Sequence, residues 1–532
     1  MTSIFFNATP FNLTASAAKE YYHANYGIYY IVTNNYVKIT GCDSTDERIV
    51  LPSKLQNKKV SYIAKGAFKD NTTMKKIQIN SSSMRIEAEA FSGCTALEQV
   101  QMRTDNYIAY LGSKAFYNCV NLTSIDINKI STIRSEAFYN CQSLRSEKLG
   151  DSVSVGDRAF YNCGELVIDG AGFTEVGDSA FYECSSLSNI TFADSIKKIG
   201  AEAFYNTLVD NVSFGGDVEI GNKAFYQSSP DTIFFGGKTK IGDQAFYRCI
   251  HHQEVSLGEN GVITSIGDTA FYRCNSLERI QLREGLTEIK DKAFLNCFEL
   301  KSVVFPKSLT TLGQSAFEFC EALQSVEFLG RLAEIPHSAF AGNINLTSVK
   351  LPFGIKTIRS YAFEDCGIEN LILPPTVTRI EDKAFAMCTL MTDITIPQSV
   401  QYIANNAFSD CLKLSTVHFG GDSQKWKKLP GTDQKYLSNI KVIYDYKPTF
   451  QATVSSDKTT ISVSTALFEE TGVTGGTFIL AMYSGNQMTA IQTKEYDGSE
   501  ISFTVASPFE AAKVMFWADF KDMFPLCQVD SL

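Results

Sequence analysis

The stretch Ile266-Gly-Asp-Thr-Ala-Phe-Tyr-Arg-Cys274 decides the fold, because edited copies of it recur sixteen times between residues 63 and 411. Each copy centres on an Ala-Phe pair, at Phe68, Phe91, Phe116, Phe138, Phe160, Phe181, Phe204, Phe225, Phe246, Phe271, Phe294, Phe317, Phe340, Phe363, Phe385 and Phe408. Successive phenylalanines stand 21 to 25 residues apart, and Ile, Leu or Val precedes every one by five, from Ile63 through Leu111, Val155 and Leu312 to Ile403. A fixed period of that length marks a solenoid, in which a unit too small to bury its own apolar face stacks on copies of itself. Length is then no obstacle: a 532-residue chain exceeds one compact core, but a coil that grows along an axis escapes that limit.

In full form a repeat reads Leu277-Glu-Arg-Ile280-Gln-Leu282, then Leu286-Thr-Glu-Ile289, then Ala293-Phe294-Leu-Asn-Cys297. The apolar positions one, four and six match the leucine-rich repeat pattern and imply two short strands per coil, with no run of helical length. The predicted fold class is mostly β: a leucine-rich-repeat solenoid of about sixteen coils with terminal caps, followed by a small C-terminal Ig-like β-sandwich. Twelve of the fourteen cysteines fall three residues after a repeat phenylalanine. Stacking brings such side chains to about 4.8 Å with parallel rather than converging Cβ vectors, so a ladder of buried thiols is expected in place of disulfides. Ala precedes every repeat phenylalanine, as a packing limit requires. Gly recurs just after the aliphatic residue, for example at Gly112, Gly242, Gly267 and Gly313, and marks a bulge or a close backbone approach. Truncating one ladder phenylalanine should cost about 3 to 5 kcal/mol. Thr207 and Ser228 stand where other coils carry Cys, which makes residues 204–246 the expected place for a bend or a softer joint.

Taken in order, residues 1–20 read as a flexible arm and 21–62 as an N-terminal cap, with Tyr29–Val32 and Tyr36–Ile39 as a hairpin. The solenoid occupies 63–412. Residues 413–445 form a C-terminal cap in which Trp426 covers the last coil. Residues 446–532 carry no repeat but six strand-like runs, the expected sandwich.

A formal charge of -10 and a pI near 5.2 oppose nucleic-acid binding, which draws on counterion release by Lys and Arg clusters. Residues 1–20 lack the basic and apolar regions of a signal peptide, and no span of eighteen apolar residues occurs, so no transmembrane segment is expected. The five histidines form no HExxH and no pairing with a thiol or hydroxyl in a known motif, and there is no CxxC. Neither an enzyme nor a metal or cofactor is expected.

With these residues set out, the chain resembles the BspA-like (treponemal) leucine-rich repeat family of bacterial and protist surface proteins. The carrying pattern is clearest at Leu346-Thr-Ser-Val-Lys-Leu-Pro352 through Ile355, Ile358, Ala362-Phe363 and Cys366, and it extends over residues 49–444. The resemblance implies an extracellular or cell-surface location and, for some members, adhesion to host matrix proteins or other bacteria. The tail Lys513-Val-Met-Phe-Trp517 with Met523-Phe-Pro-Leu526 resembles the end of a β-sandwich module of secreted proteins from Gram-positive gut bacteria.

One feature exceeds what the coil requires. The residue after the repeat phenylalanine is Tyr in eight consecutive coils, at Tyr117, Tyr139, Tyr161, Tyr182, Tyr205, Tyr226, Tyr247 and Tyr272. With Phe inward, alternation turns Tyr outward into an aromatic stripe. The stripe either braces the coils or binds an extended partner, a host or microbial surface protein or a glycan. The functional expectation is therefore a secreted or surface binding and adhesion protein, with a structural envelope protein lacking a specific external ligand as the rival.

Overall fold

The computed structural model describes residues 19–445, less 103–106, 150–151, 170–171, 189, 353, 433–435 and 439, together with seven strands beyond residue 445. Residues 1–18 of the expected arm lie outside the described residues. The chain divides into two compact units, residues 1–172 with 183–187, and residues 173–182 with 188–532.

In the first unit, strands Glu20–His23, Ile28–Val32 and Val37–Cys42 form an antiparallel meander, and the third of them pairs in parallel with Lys58–Ile63. That parallel pairing passes the sheet on to the coils: Ile63 pairs with Ile86, Ile86 with Leu111, Leu111 with Ile133 and Ile133 with Val155. The aliphatic residue five before each phenylalanine is thus a rung. In the second unit the same rung runs Ile266, Ile289, Leu312, and a second parallel sheet joins Val212, Ile233, Val255 and Ile280. Alternation sets which residues face in. Strand Asn211–Phe214 buries Val212 and Phe214 and exposes Asn211 and Ser213.

Between the strands, the Ala-Phe turn builds a third ladder that the sequence pattern does not announce. Residues two before and two after the phenylalanine adopt left-handed backbone, as at Thr269 (φ 49°) and Arg273 (φ 56°). For non-glycine residues this costs on the order of 1 kcal/mol each. The bends aim every second N–H at the next coil: Thr269 donates to Asp291 O at 2.9 Å, Phe271 to Ala293 O at 2.8 Å and Arg273 to Leu295 O at 2.9 Å. Such bonds, worth about 1 kcal/mol apiece, offset the strain.

The interior filling is aromatic and sulfurous. Repeat phenylalanines stack face to face at 4.9–5.5 Å from Phe68 to Phe160 and at 4.8–5.8 Å from Phe181 to Phe408. The alanines before them are buried, so no larger side chain fits there. Each ladder thiol donates to the carbonyl of the phenylalanine one coil back, as Cys119 does to Phe91 O at 3.1 Å and Cys274 to Phe246 O at 3.1 Å. Two of the replacements keep the bond, Asn343 Nδ2 reaching Phe317 O at 2.9 Å and the Ser228 hydroxyl donating to Phe204 O, whereas the Thr207 hydroxyl turns to Phe204 O of its own coil at 3.1 Å. The position selects a small buried donor, not sulfur as such. Burial raises the thiol pKa of Cys94, Cys249 and Cys320 to about 12.

Stacking and pairing run unbroken through residues 204–246. Phe204, Phe225 and Phe246 stack at 5.2 Å, and strands Asn211–Phe214 and Thr232–Phe235 pair along their whole length. The recurrent glycine proves to be a close approach rather than a bulge. A Cβ on Gly267 would lie 2.5 Å from the Asp243 amide nitrogen and from the Gly242 carbonyl carbon of the coil before it.

After the last coil, Ser423–Lys428 forms a short helix, the one α-helix among the described residues, which the sequence reading missed. Asp422 caps it by accepting the Lys425 N–H at 2.7 Å, and Trp426 is buried edge-on against Phe419 at 5.0 Å. Strand Lys441–Ile443 then extends the parallel sheet from Thr416–Phe419. Beyond residue 445 the strands form two antiparallel sheets: Ala452–Val454, Thr460–Val463 and Ile501–Thr504 in one, and Gln487–Tyr496, Gly476–Ser484, Ala511–Trp517 and Cys527–Gln528 in the other. The face-to-face packing that a sandwich needs rests on side chains outside the described residues.

Candidate binding surface

The tyrosines predicted from sequence are brought together as stacks. In the first unit Tyr117, Tyr139 and Tyr161 follow at 4.7 and 4.8 Å, with planes within 11°. In the second, Tyr182, Tyr205, Tyr226, Tyr247 and Tyr272 follow at 4.5–4.8 Å, with planes within 20°. The third backbone ladder sets this spacing: Arg248 N–H donates to Tyr272 O at 2.8 Å, so rings attached to successive coils repeat at the coil distance.

All eight tyrosines are half-buried. At these separations the rings cover one another's faces, as offset-stacked aromatics do. What the stack offers a partner is therefore ring edges and hydroxyls, not open faces. Burial, then the neighbouring phenol, raises the hydroxyl pKa of Tyr226 and Tyr247 above the ordinary tyrosine value, so both are neutral donors and acceptors at physiological pH. Cations attend the rings. The Arg248 guanidinium lies 5.9 Å from the Tyr247 centroid, Arg273 5.4 Å from Tyr272 and Lys114 5.6 Å from Tyr117.

A second feature lies in the second unit, and the sequence reading missed it. On the outward face of the sheet holding Asn211–Phe214, Thr232–Phe235, Glu254–Leu257 and Arg279–Ile280, a depression of about 370 Å³ is lined by Asp231, Thr232, Phe234, His251, Glu254 and Arg279, among others. Arg279 donates through Nε and Nη2 to Glu254 Oε2, both at 3.2 Å. His251 Nδ1 stands 3.9 Å from Asp231 Oδ1. The signal was present in Thr232-Ile-Phe-Phe-Gly-Gly237, whose first Phe occupies an outward position, but its polar neighbours sit one or two coils away in sequence. Beneath the same sheet His252 is wholly buried where other coils place Leu, as at Leu277 and Leu300.

Among the described residues no group of three or more His, Cys, Asp or Glu is placed to hold a metal ion, and no helix is long and apolar enough to cross a membrane.

The sequence matches the BspA type leucine rich repeat region, in six copies, over residues 47–167, 155–260, 218–343 and 315–429. Among solved structures, a leucine-rich repeat protein from Bacteroides ovatus shares 22% identity, with 78% of this chain and 98% of that one covered and a TM-score of 0.50. A leucine rich cell surface protein from Faecalibacterium prausnitzii shares 22% identity over 79% of this chain and 99% of that one, with a TM-score of 0.32. The pneumococcal vaccine antigen PcpA shares 16% over 81% and 99%, with a TM-score of 0.28. No curated protein matches the sequence significantly. The Bacteroides ovatus likeness carries the fold, a nearly all-β leucine-rich-repeat solenoid.

Proposed function

The chain belongs to the BspA-type leucine-rich repeat family, and from that premise we propose that it is a secreted or cell-surface protein that adheres to host or microbial macromolecules through the outward side of its coils. The observation that carries the reading is the tyrosine stack. Coils without it, such as those of Phe317 and Phe363 with Glu318 and Glu364 at the same position, close the same backbone ladder, so folding does not demand Tyr there. Tyrosine edges and hydroxyls beside Arg side chains are the composition that protein-binding surfaces favour. Residues 21–62 and 413–445 serve as caps that shield the terminal coils, and residues 446–532 form a β-sandwich that acts as spacer or second contact. The protein is not an enzyme in this reading and needs no cofactor.

The test replaces Tyr205, Tyr226 and Tyr247 with Ser in the full chain and measures retention on immobilised extracellular-matrix proteins and mucin. Loss of binding by about tenfold or more, with the melting temperature within a few degrees of the parent, supports adhesion through the stack. Retained binding with a melting temperature lowered by about 10 °C or more assigns the rings to bracing. The rival, an architectural envelope protein without an external ligand, draws on the mutual stacking of the rings, since cross-strand aromatic pairs stabilise a sheet unaided. Absence of retention on every surface by the parent chain favours it.

A further inference from the structure

We propose that the depression around Phe234 is a carbohydrate site that takes an uncharged hexose unit of a glycan. Phe234 differs from the ladder phenylalanines and from the stacked tyrosines. It points outward and is half-buried, and among the described residues no aromatic ring stacks on it, whereas the inward phenylalanines and the tyrosines cover one another. Its neighbours on the same outward row are Ser213 and Ser256, too small to cover its face. Gly258 makes room for it. A Cβ there would stand 3.0 Å from Phe234 Cζ, so any other residue would contest the place of the ring.

An aromatic face left bare in water is matched by the C–H face of a pyranose, whose weakly positive hydrogens meet the negative π cloud. The surroundings supply the rest of the recognition. Both Arg279 bonds go to Glu254 Oε2, which leaves Oε1 and Nη1 without a hydrogen bond among the described residues. One carboxylate acceptor beside one guanidinium donor is the complement of two adjacent sugar hydroxyls, and charge-assisted bonds of this kind are the strong ones. The Thr232 hydroxyl, which donates to Asn211 Oδ1 at 2.7 Å, keeps acceptor capacity of its own.

Charge decides against an acidic sugar: Asp231 and Glu254 set two carboxylates against the one guanidinium. A peptide is disfavoured for a different reason. Its side chains need apolar pockets to anchor in, and the outward positions beside Phe234 are Asn211, Ser213, Thr232 and Ser256. A volume of about 370 Å³ lies within the range of small-molecule sites.

The site goes beyond the adhesion reading and can stand or fall without it, since it occupies a different position of the coil from the tyrosines. The experiment is isothermal titration calorimetry of the full chain with maltohexaose, cellohexaose, mannohexaose and lacto-N-tetraose, with sialyllactose as the charged comparison. The expected result is binding of at least one neutral oligosaccharide, weakened about tenfold by Phe234→Ala. Phe234→Tyr should keep it and Glu254→Gln should weaken it several-fold. Tyr247→Ser should leave it unchanged. No heat from any neutral oligosaccharide at about 10 mM, indifference to both Phe234→Ala and Glu254→Gln, or preference for sialyllactose would overturn the assignment. Loss of matrix or mucin binding in the tyrosine variant alongside such a failure would leave the adhesion reading intact.

Discussion

His252 shows how a single residue can work against its own coil. It occupies the interior position that is Leu in most other coils, and neither ring nitrogen finds a hydrogen-bond partner among the described residues. Burial, with a smaller push from His251, lowers its pKa from 6.5 to about 4. The folded state therefore holds His252 neutral while the unfolded chain protonates near 6.5, so stability contributed by this site is intact above that value and falls as the pH drops toward 4. The loss amounts to roughly 3 kcal/mol, and two unsatisfied nitrogens cost about 1 to 3 kcal/mol more at any pH. His252→Leu should accordingly raise stability at pH 8 and raise it further at pH 4.5, as measured by urea denaturation at both values. An equal gain at the two pH values would contradict the titration argument. This residue was visible in the sequence only as one half of the pair His251-His252. Its burial follows from the register of Cys249, three residues earlier, which assigns it to the leucine position.

At the scale of the coil, ring spacing follows the residue four before each phenylalanine. Where that residue is Gly, at Gly200, Gly221, Gly242, Gly267 and Gly313, successive rings stand 4.8–5.3 Å apart. Where it is Pro336, Arg359, Glu381 or Ala404, they stand 5.4–5.8 Å apart. Lys290 and Glu87 depart from this trend, with ring spacings of 5.1 and 4.9 Å. Gly267→Ala should therefore cost about 1 to 3 kcal/mol, because the new methyl would meet backbone that cannot rotate away. An unchanged denaturation midpoint would mean that the coils slide apart freely. The strand rungs, the phenylalanine stack and the thiol ladder were legible because each repeats one residue type at one offset. The left-handed turns were not, since Lys, Glu, Ser, Thr and Arg share those places and only the ladder of inter-coil hydrogen bonds unites them. The helix Ser423–Lys428 escaped for another reason: six residues are too few to show a period, and only Asp422 signals its start.

Across the whole molecule, contacts far apart in sequence are one coil apart in space. Ion pairs such as Lys301–Glu278 at 2.6 Å and Lys240–Glu219 at 3.2 Å join neighbouring coils, and being exposed they contribute little each. Stability is then close to a sum over coils and their interfaces. The tyrosine stack was legible as eight identical letters at one offset. The Phe234 depression was not, because its lining is gathered from three coils whose residues share no pattern. The central claim is that the coil is the unit of folding, and removing one tests it. Deleting residues 267–289 joins Ile266 to Lys290 and leaves the next Ala-Phe pair in register, whereas deleting 267–277 shifts every rung that follows. Eleven cysteines are buried in the described structure, and Cys274 is lost in either deletion, so ten remain as reporters. In native thiol titration all ten should stay unreactive in the whole-coil deletion, whereas the four that follow the cut, Cys297, Cys320, Cys366 and Cys388, should react in the part-coil deletion. Equal reactivity in the two variants would contradict the account.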